Sequence, residues 1–505
     1  MAYIITDLLD ETASRLPDKA AYVDQNRSLT FSQIRTESRL VAQGLIREGL
    51  FKKPVVIYID KSVECIAAVF GIAYSGNFYT IIDTSMPQER IQKILTTLQP
   101  AAFVTVEQSA GSVAAIARDL PVLIYEDLMK QELQDAYVSA ATSRVLSSDV
   151  LFVLFTSGST GIPKGVVTSH QALYIYAMTV FHQVYGLEES DVMLSQAPFY
   201  FVMAVIEMFG PVLLGATTHM VPPVYFSFPA MLVKYIEEHQ VTAINWVPSI
   251  LQSIVNMDAF EVGDISSIRR VLFGGEVMPV NVIRAWAEHA PGLRFVNGYG
   301  STELTDGCMS FVFEGTYEGG DSLPIGKPNP NMEILLLDEN DQLVTEPGEI
   351  GEICARGPSL SYGYYNDPER TAEVFVQNPL NHSYEEKIYR TGDLGTMRED
   401  GNYLYIGRKD FQIKYLGYRI ELGEIEANIS TVPGVAENAC LYDAESKHIV
   451  VFYTGTIDAK DLGSILTEKL PTYMLPRRRV HLEEMPHNLN GKIDRVMLRK
   501  ELRHN

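Results

Sequence analysis

A loop rich in glycine and hydroxyl side chains follows the apolar run Val150–Phe155. From Thr156 to Gly165 it runs Thr-Ser-Gly-Ser-Thr-Gly-Ile-Pro-Lys-Gly. Glycines let backbone N–H groups point into such a loop, hydroxyls add donors, and Lys164 adds a positive charge. The spacing differs from that of a Walker A loop, and the alternative is an ordinary glycine–serine turn. We predict a phosphate-binding loop whose candidate ligands are Thr156, Ser157, Gly158, Ser159, Thr160, Gly161 and Lys164.

The phosphate loop is one of several motifs that occur in a fixed order along the chain. The others are Gly76–Arg90, Asn297–Glu303, Tyr389–Leu394, Gly407–Glu426, Leu470–Pro476 and Asn490–Arg495. As a set they resemble the motifs of the adenylate-forming superfamily, which comprises acyl-CoA synthetases, luciferases and the adenylation domains of nonribosomal peptide synthetases. The resemblance covers nearly the whole chain. It implies an ATP-dependent enzyme that forms an acyl-adenylate and passes the acyl group to a thiol.

The resemblance also implies catalytic roles. Adenylation joins two anions, so it needs cationic stabilisation and a metal ion on the departing pyrophosphate. At the matching positions, Lys492 bridges the substrate carboxylate and the α-phosphate, and Glu303 is the Mg²⁺ ligand. Asp410 is the hinge about which a small domain swings, removing Lys492 and bringing Gly417 and its neighbours to a tunnel for the thiol. Lys414 is a further candidate there. The cofactors expected are ATP and Mg²⁺.

The nucleotide site follows from the same resemblance. Asp393 matches the residue that accepts both ribose hydroxyls, a task suited to two carboxylate oxygens, and Arg408 supports the nucleotide. Tyr299 stacks on adenine, and the Asn297 amide meets the adenine amino group. Thr302 contacts phosphate. The remaining candidates for the nucleotide site are Gly275, Glu276, Gly298 and Gly300.

The predicted acid pocket departs from the family pattern. Members that activate amino acids place an Asp after the aromatic residue of the fourth motif, where it pairs with the α-ammonium group. Here Val202 follows Phe201, and an ammonium buried against valine lacks its counter-ion, which is costly. The resemblance implies a mostly apolar lining with one carboxylate, formed by Phe201, Val202, Met203, Ile206, Trp246, Leu272, Gly274, Gly298, Asp306 and Gly307.

Three classes of acid fit that lining. The acid lacks an α-amino group, as aryl, fatty and keto acids do; or it is a β- or ω-amino acid whose ammonium reaches Asp306; or it is a betaine held by Trp246 and Phe201 through cation–π contact. Asp306 could instead be a loop residue turned towards solvent. The sequence leaves these alternatives open.

The acceptor thiol is expected on a carrier protein. The segments Gly417–Glu426 and Leu470–Pro476 are closer to carrier-loading adenylation domains than to acyl-CoA synthetases, and no phosphopantetheine attachment motif is present. A separate carrier with a phosphopantetheine arm is therefore expected, as for D-alanine–carrier protein ligases. The alternatives are that ligase itself, an acyl-CoA synthetase using CoA, and a non-catalytic ATP-binding module. The run Arg477–Arg479 is either a docking point for an acidic carrier or a solvated charge run.

The predicted helices and strands that must position these residues indicate an α/β fold. Helical patterns at 38–48, 62–73, 230–239 and 280–289 alternate with β-branched runs at 54–59, 78–82, 243–247 and 294–296, which predicts mostly parallel sheets flanked by helices. From about Pro347 short glycine-punctuated strands predict a small β-rich subdomain. A small α+β domain follows. We place the domains at 1–408 and 409–505.

Composition limits the function classes. The 505 residues exceed one ordinary core. A net charge of −22, with 41 Lys and Arg against 63 Asp and Glu, argues against nucleic acid and against an anionic membrane surface. The four cysteines are scattered, which favours separate reduced thiols. With no signal peptide or membrane-length apolar run, a cytoplasmic protein is expected.

Overall fold

The computed structural model describes residues 4–158, 161–318, 323–409, 412–487 and 493–504. The helices are α1 (Ile5–Arg15), α2 (Phe31–Arg47), α3 (Val63–Tyr74), α4 (Gln88–Leu98), α5 (Ala110–Ala117), α6 (Tyr125–Met129), α7 (Asp135–Thr142), α8 (His170–Tyr176), α9 (Val205–Leu214), α10 (Val224–Ser227), α11 (Pro229–His239), α12 (Pro248–Asn256), α13 (Val280–His289), α14 (Pro368–Val374), α15 (Leu422–Ser430), α16 (Ala459–Lys469) and α17 (Arg495–His504). A π-helical segment, Ala177–Val184, continues α8.

The strands are β1 (Ala20–Val23), β2 (Ser28–Thr30), β3 (Pro54–Tyr58), β4 (Phe78–Ile81), β5 (Ala102–Thr105), β6 (Val122–Ile124), β7 (Val150–Thr156), β8 (Lys164–Ser169), β9 (Val192–Ser195), β10 (Thr217–Met220), β11 (Ala243–Asn245), β12 (Arg270–Gly274), β13 (Arg294–Tyr299), β14 (Met309–Glu314), β15 (Lys327–Pro328), β16 (Glu333–Leu337), β17 (Ile350–Arg356), β18 (Phe375–Gln377), β19 (Lys387–Met397), β20 (Tyr403–Arg408), β21 (Gln412–Tyr415), β22 (Tyr418–Glu421), β23 (Val435–Asp443), β24 (His448–Gly455) and β25 (Arg478–His481).

The chain divides into two compact units. The first comprises residues 1–84, 98–154 and 166–409, and the second comprises 85–97, 155–165 and 410–505. The second unit thus includes most of α4 and the phosphate loop, in addition to the C-terminal residues. The boundary predicted at 408/409 remains a prediction.

Two largely parallel sheets dominate the first unit. One has nine strands in the order β15-β14-β13-β12-β11-β9-β10-β1-β2, and the other has six in the order β6-β5-β3-β4-β7-β8. The run β13-β12-β11-β9-β10-β1 is parallel throughout. Strands β3, β4, β5, β8 and β11 of these sheets are buried along their whole length, as expected where helices cover both faces. The predicted α/β fold is confirmed.

The β-rich part of the first unit follows the parallel sheets. Strands β16, β17, β19, β18 and β20 form an antiparallel sheet. Its residues Ile353 and Tyr389 pack in an apolar cluster that also contains Tyr299 and Met309 of the nine-stranded sheet. This sheet carries the segment Tyr389–Leu394 on β19 and delivers Arg408 at the end of β20.

The second unit combines a three-stranded sheet with helices. Strands β23 and β24 are antiparallel, and β25 adds to β24 in parallel. One face of this sheet packs with α15 and α16 around Ile425, Leu462 and Leu466. The other face packs around Met485 and Leu498. Among the described residues no helix is long and apolar enough to cross a membrane.

Candidate active site

The candidate residues of the first unit gather where parallel strands end. Strand β9 ends at Ser195 before the segment with Phe201 and Val202, β11 ends just before Trp246, and β12 ends at Gly274. The next strand, β13, ends at Tyr299 before the loop with Glu303 and Asp306. Ligands of open α/β sheets bind at the carboxyl ends of such strands.

Glycines at these strand ends allow close approach. Gly274 and Gly298 are register partners on β12 and β13, and a Cβ built on Gly274 would lie 2.6 Å from the Gly298 carbonyl oxygen. Gly300 is equally constrained, because its Cβ would lie 2.1 Å from the Asp306 carbonyl oxygen. Gly274 and Gly300 therefore admit no side chain without a shift of the backbone.

A buried carboxylate joins the predicted ribose and adenine residues. Asp393 accepts a hydrogen bond from the Tyr299 hydroxyl at 2.5 Å and pairs with the Arg408 guanidinium. Burial and the Asp393 charge raise the pKa of Tyr299 well above its ordinary value. Tyr299 therefore stays a neutral donor that fixes both its own ring and the carboxylate.

Asn297 lies on β13 beside this group. Its amide nitrogen donates to the Pro324 carbonyl at 2.7 Å. That bond leaves the side-chain carbonyl oxygen as the group able to accept from an amino group, which is the polarity that an adenine amino group requires. At the end of β12, Gly275 has a φ of +82°, and Glu276 accepts from the Ser249 N–H at 3.0 Å.

Glu303 has the chemistry of a magnesium ligand. Its side chain is fully buried and accepts a hydrogen bond from Tyr364 at 2.7 Å, a partner that the sequence did not indicate. The adjacent Ser301 hydroxyl is buried without a hydrogen-bond partner. The described residues contain no cluster of three metal-binding side chains. One carboxylate beside phosphate oxygens and water is the set that Mg²⁺ commonly takes, so these residues fit the ion.

The predicted acid pocket is apolar around Val202. This side chain is 9% exposed and belongs to an apolar cluster with Ile206, Leu272 and Tyr176. Phe201 and Met203 pack against the same cluster. The side chain at this position is therefore apolar and supplies no charge to pair with an ammonium.

Trp246 lies in a different environment from Val202. Its side chain is 0% exposed and packs in a second apolar cluster with Phe226 and Trp286. The indole N–H donates to the Leu194 carbonyl at 2.9 Å. Because the ring presents no accessible face, this geometry argues against the hypothesis of a betaine held by Trp246.

Asp306 is oriented by Tyr176, a residue that no sequence motif indicates. The Tyr176 hydroxyl donates to the Asp306 carboxylate at 2.8 Å, and Tyr176 is the last residue of α8 before the π-helical segment. Thr305 and Asp306 have φ values of +57° and +90°. Left-handed backbone at two non-glycine residues is costly and tends to occur at functional sites. Asp306 is half-buried, and its carboxylate contacts this buried phenol.

Glu207 and Lys61 support the segment that precedes Phe201. Glu207 is fully buried and accepts from the Ser195 hydroxyl at 2.6 Å and the Gln196 N–H at 3.2 Å. Lys61 donates to the carbonyls of Ser195 and Ala197 at 3.0 and 3.1 Å. Burial raises the pKa of Glu207 and lowers that of Lys61, and each charge opposes the shift of its partner.

The phosphate loop contacts acidic residues of the hinge motif within the second unit. The Gly158 N–H donates to Glu424 at 3.1 Å, and Lys164 lies 3.7 Å from Glu421. Glu424 also forms an ion pair with Arg90, both side chains being nearly inaccessible. The Thr156 hydroxyl is buried without a partner. Two of the groups predicted to bind phosphate, the Gly158 N–H and the Lys164 ammonium, thus face carboxylates.

The other predicted site residues lie in several parts of the chain. Ser159, Thr160, Asp410 and Lys492 lie outside the described residues. Thr302 is buried in a short 3-10 turn, and Ser157 donates to the Arg419 carbonyl at 2.6 Å. Gly417 forms the β21–β22 turn with Leu416, and Lys414 lies on β21.

The fold and the site define a class. Adenylate-forming enzymes are characterised by an α/β fold that carries two features. One is a loop rich in glycine, serine and threonine, and the other is an aspartate that binds the ribose. The family model "AMP-binding enzyme" matches residues 9–365, and the chain belongs to this family. It is an ATP-dependent, AMP-forming ligase of the nonribosomal peptide synthetase adenylation type.

Two relatives illustrate the similarity. The chain is 32% identical to zwittermicin A synthase ZmaJ of Bacillus cereus over 99% of this chain and 95% of that protein. It is 33% identical to tyrocidine synthase 3 of Brevibacillus parabrevis over 98% of this chain. The chain spans only 8% of the length of tyrocidine synthase 3.

Solved structures of other proteins have the same fold as this chain. Holo-PA1221, a protein containing adenylation and PCP domains, matches with a TM-score of 0.84 and 26% identity over 99% of this chain and 84% of that chain. The o-succinylbenzoate CoA synthetase of Bacillus subtilis has the same fold, with a TM-score of 0.82 and 21% identity over 98% of each chain.

Proposed function

We propose that this enzyme activates a carboxylic acid that is not an ordinary α-amino acid, and transfers it to the phosphopantetheine thiol of a separate carrier protein. The observation that carries the substrate half of this proposal is Val202. It is buried among apolar side chains at the position where family members that activate α-amino acids have an aspartate. Desolvating an ammonium there without a partner costs on the order of several kcal/mol.

The position of Asp306 supports a β- or ω-amino acid over a purely apolar acid. Its carboxylate contacts Tyr176, and a carboxylate can accept further hydrogen bonds from an ammonium. An amino group remote from the acid's own carboxyl group would reach this residue while the carbon chain lies against Val202. Aryl, fatty and keto acids remain the second candidates, because the rest of the lining is apolar.

The reaction has two steps. In the first, the acid's carboxylate oxygen attacks the α-phosphorus of ATP, the P–O bond to pyrophosphate breaks, and Lys492 stabilises the developing charge. Glu303 would hold Mg²⁺, which supplies charge neutralisation on the phosphates. Asp393 orients the ribose, with Tyr299 and Arg408 fixing its carboxylate.

In the second step the thiol attacks the acyl carbon and AMP leaves. We assign the acceptor to a carrier protein because the similar structure of holo-PA1221 contains a PCP domain beside its adenylation domain. The rotation about Asp410 expected from the resemblance would remove Lys492 between the two steps. Transfer to CoA is the alternative acceptor reaction.

ATP–pyrophosphate exchange with a panel of acids tests the substrate half. The panel contains D-alanine, other α-amino acids, β- and ω-amino acids, aryl acids, short fatty acids, keto acids and betaines. We expect exchange with β- or ω-amino acids and little with D-alanine. Strong exchange with D-alanine would overturn the interpretation of Val202 and favour a D-alanine–carrier protein ligase.

The acceptor is tested with the best acid from that panel. Holo-carrier proteins and free CoA are offered separately at equal thiol concentration. Faster thioester formation on a carrier supports the proposal, whereas transfer to CoA alone identifies an acyl-CoA synthetase. Absence of exchange with every acid in the panel would overturn the proposed substrate class.

A further inference from the structure

Glu352, on β17 of the antiparallel sheet, is a carboxylate that lies outside the predicted site residues. It is 5% exposed. Its carboxylate accepts hydrogen bonds from the Arg390 guanidinium at 2.9 Å, from the Gly392 N–H at 3.2 Å and from the Lys409 ammonium at 3.1 Å. Because three donors from two segments converge on it, this carboxylate is fixed in direction and holds those segments together.

Strand β19 is irregular at the point where it faces this carboxylate. A step of two residues on β17, from Glu352 to Cys354, corresponds to a step of four on β19, from 394 to 390. The extra residues form a bulge, and bulges re-aim side chains because they leave the regular ladder. Gly392 lies in this bulge with a φ of +74°, and Asp393 is the next residue. The Gly392 N–H that bonds to Glu352 therefore belongs to the turn of backbone that directs Asp393.

The Glu352 side chain lies on the face of the sheet opposite to Tyr299. Adjacent side chains of a strand point to opposite faces. Ile353 packs in the apolar cluster that contains Tyr299, and the Tyr299 hydroxyl donates to Asp393. Cys354, which shares a face with Glu352, packs in a different cluster. The influence of Glu352 on Asp393 therefore passes through the backbone of the bulge rather than through contact with a nucleotide.

The same carboxylate also holds the end of β20. Lys409 follows this strand, and its backbone N–H donates to the Gly392 carbonyl at 2.9 Å, while its ammonium bonds to Glu352. The residue before it, Arg408, pairs with Asp393. Because Glu352 binds the bulge on one side and Lys409 on the other, it fixes the spacing between the segments that carry Asp393 and Arg408.

We propose that Glu352 is a positioning residue for nucleotide binding. It holds the bulge of β19 and the end of β20 in the arrangement in which Asp393, paired with Arg408, accepts from the ribose hydroxyls. A carboxylate held in this way binds without first reorienting, so loss of Glu352 weakens nucleotide binding although Glu352 does not touch the nucleotide. The inference rests on the assignment of Asp393 to the ribose in the proposed function, and it does not depend on the acid or the acceptor thiol.

Calorimetric titration with ATP and with 2′-deoxy-ATP, in the presence of Mg²⁺ and without any acid, tests the proposal. Glu352→Gln keeps a carbonyl oxygen for the Gly392 N–H but loses the charge that pairs with Arg390 and Lys409. We expect the Kd for ATP to rise about fivefold, and the Kd for 2′-deoxy-ATP to rise less, because residues of one network are energetically coupled.

Glu386→Gln is the matched control for this titration. Glu386 immediately precedes β19, pairs with Arg356 and accepts a hydrogen bond from Asn378 at 2.6 Å. It thus resembles Glu352 in its partners but does not contact the bulge. We expect both dissociation constants to stay at their wild-type values in this variant, and an equal rise in Glu386→Gln and Glu352→Gln would overturn the proposal.

A double variant shows whether Glu352 acts through Asp393. In Glu352→Gln/Asp393→Asn we expect the Kd for ATP to be no higher than in Asp393→Asn alone, because the residue that Glu352 positions is already impaired. Additive effects would mean that Glu352 only stabilises the sheet. If Asp393→Asn itself leaves the discrimination between ATP and 2′-deoxy-ATP unchanged, the ribose assignment fails and this proposal fails with it. An effect in Asp393→Asn but none in Glu352→Gln would overturn this proposal alone.

Lys409→Met decides the matter if circular dichroism shows that Glu352→Gln does not fold. The Lys409 side chain is 42% exposed, so its replacement leaves the fold intact while it removes one partner of Glu352. We expect the Kd for ATP to rise about twofold, since a partly exposed ion pair contributes little. A wild-type Kd in Lys409→Met would then overturn the proposal.

Discussion

At the scale of single residues, three carboxylates of the first unit are each oriented by a hydrogen bond from a tyrosine hydroxyl. Asp393 is held by Tyr299, Asp306 by Tyr176 and Glu303 by Tyr364. In each pair a buried tyrosine hydroxyl donates to the acid and fixes its direction. A fixed carboxylate is preorganised for a hydroxyl, an ammonium or a metal ion, because no reorientation precedes binding.

Replacing Asp393 by Asn should weaken ATP binding. The change removes the charge that pairs with Arg408 and one acceptor for the ribose hydroxyls. A hydrogen bond to a charged group contributes about 1.5–3 kcal/mol, so we expect KM for ATP to rise roughly ten- to a hundredfold. Pyrophosphate exchange with ATP and 2′-deoxy-ATP measures it, and the variant should discriminate less between the two nucleotides than the wild type. Unchanged discrimination would contradict the ribose assignment.

Replacing Tyr176 by Phe removes the donor to Asp306. With the best amine-bearing acid, we expect KM for the acid to rise about tenfold while KM for ATP stays unchanged, since a lost charge-assisted bond costs on the order of 1.5–3 kcal/mol. Steady-state exchange kinetics separate the two constants. Tyr137→Phe, at an exposed tyrosine, is the control. Equal rises in both constants would indicate a general loss of structure instead.

Lys492 is the residue on which adenylation is expected to depend most. In Lys492→Ala we expect pyrophosphate exchange to fall by at least a hundredfold, because loss of one stabilising charge in a transition state costs about 2.7–4 kcal/mol. Lys500→Ala on α17 is the control, and circular dichroism monitors folding. Wild-type exchange in Lys492→Ala would remove the assignment.

At the scale of elements, the phosphate loop and α15 form one hydrogen-bonded unit. Beyond Gly158 and Lys164, the backbone N–H of Glu421 donates to the Ser157 hydroxyl at 3.1 Å. On α4, Lys93 donates to Asn428 at 3.1 Å. If the loop binds phosphates, their oxygens must compete with Glu421 and Glu424 for the same donors.

Replacing Glu421 by Gln should therefore strengthen ATP binding. Lys164 is nearly buried and in this variant would lose its acidic neighbour Glu421. A phosphate oxygen could then pair with Lys164 without displacing a carboxylate. Even a solvent-exposed ion pair contributes up to about 1 kcal/mol, so for this nearly buried pair we expect at least a two- to fivefold fall in KM for ATP. Glu437→Gln, which pairs with His487 instead, is the control. An unchanged or higher KM would show that the carboxylate does not compete.

At the scale of the whole molecule, acid should destabilise the fold through a buried histidine. His170 begins α8 with its ring inaccessible, and burial lowers its pKa from 6.5 to about 4. Between these values the unfolded chain binds a proton that the folded chain does not, so stability is lost as pH falls. Near neutral pH, the stability of the fold is not reduced by this difference in proton binding at His170.

Urea unfolding at pH 7 and pH 5 measures this contribution. We expect wild type to lose about 2 kcal/mol more than His170→Asn between these pH values, from 1.36 kcal/mol per pKa unit. His448→Asn, at an exposed histidine, should behave like wild type. An identical pH dependence in His170→Asn would mean that the ring is not kept neutral by burial.

The sequence by itself determined the α/β fold and the class of chemistry. Alternating helical and β-branched runs require buried parallel strands, because helices must cover both faces. The ordered motifs carry enough chemical detail to identify the family, since glycine and hydroxyl spacing is local along the chain.

Only the tertiary structure decided which side chains meet. Tyr176 and Asp306 are 130 residues apart, and Arg90 and Glu424 are 334 apart, so no local pattern pairs them. The tertiary packing buries Trp246 in a different apolar cluster from Val202. Such contacts depend on how distant elements pack, because a side chain's environment is set by neighbours from other parts of the chain.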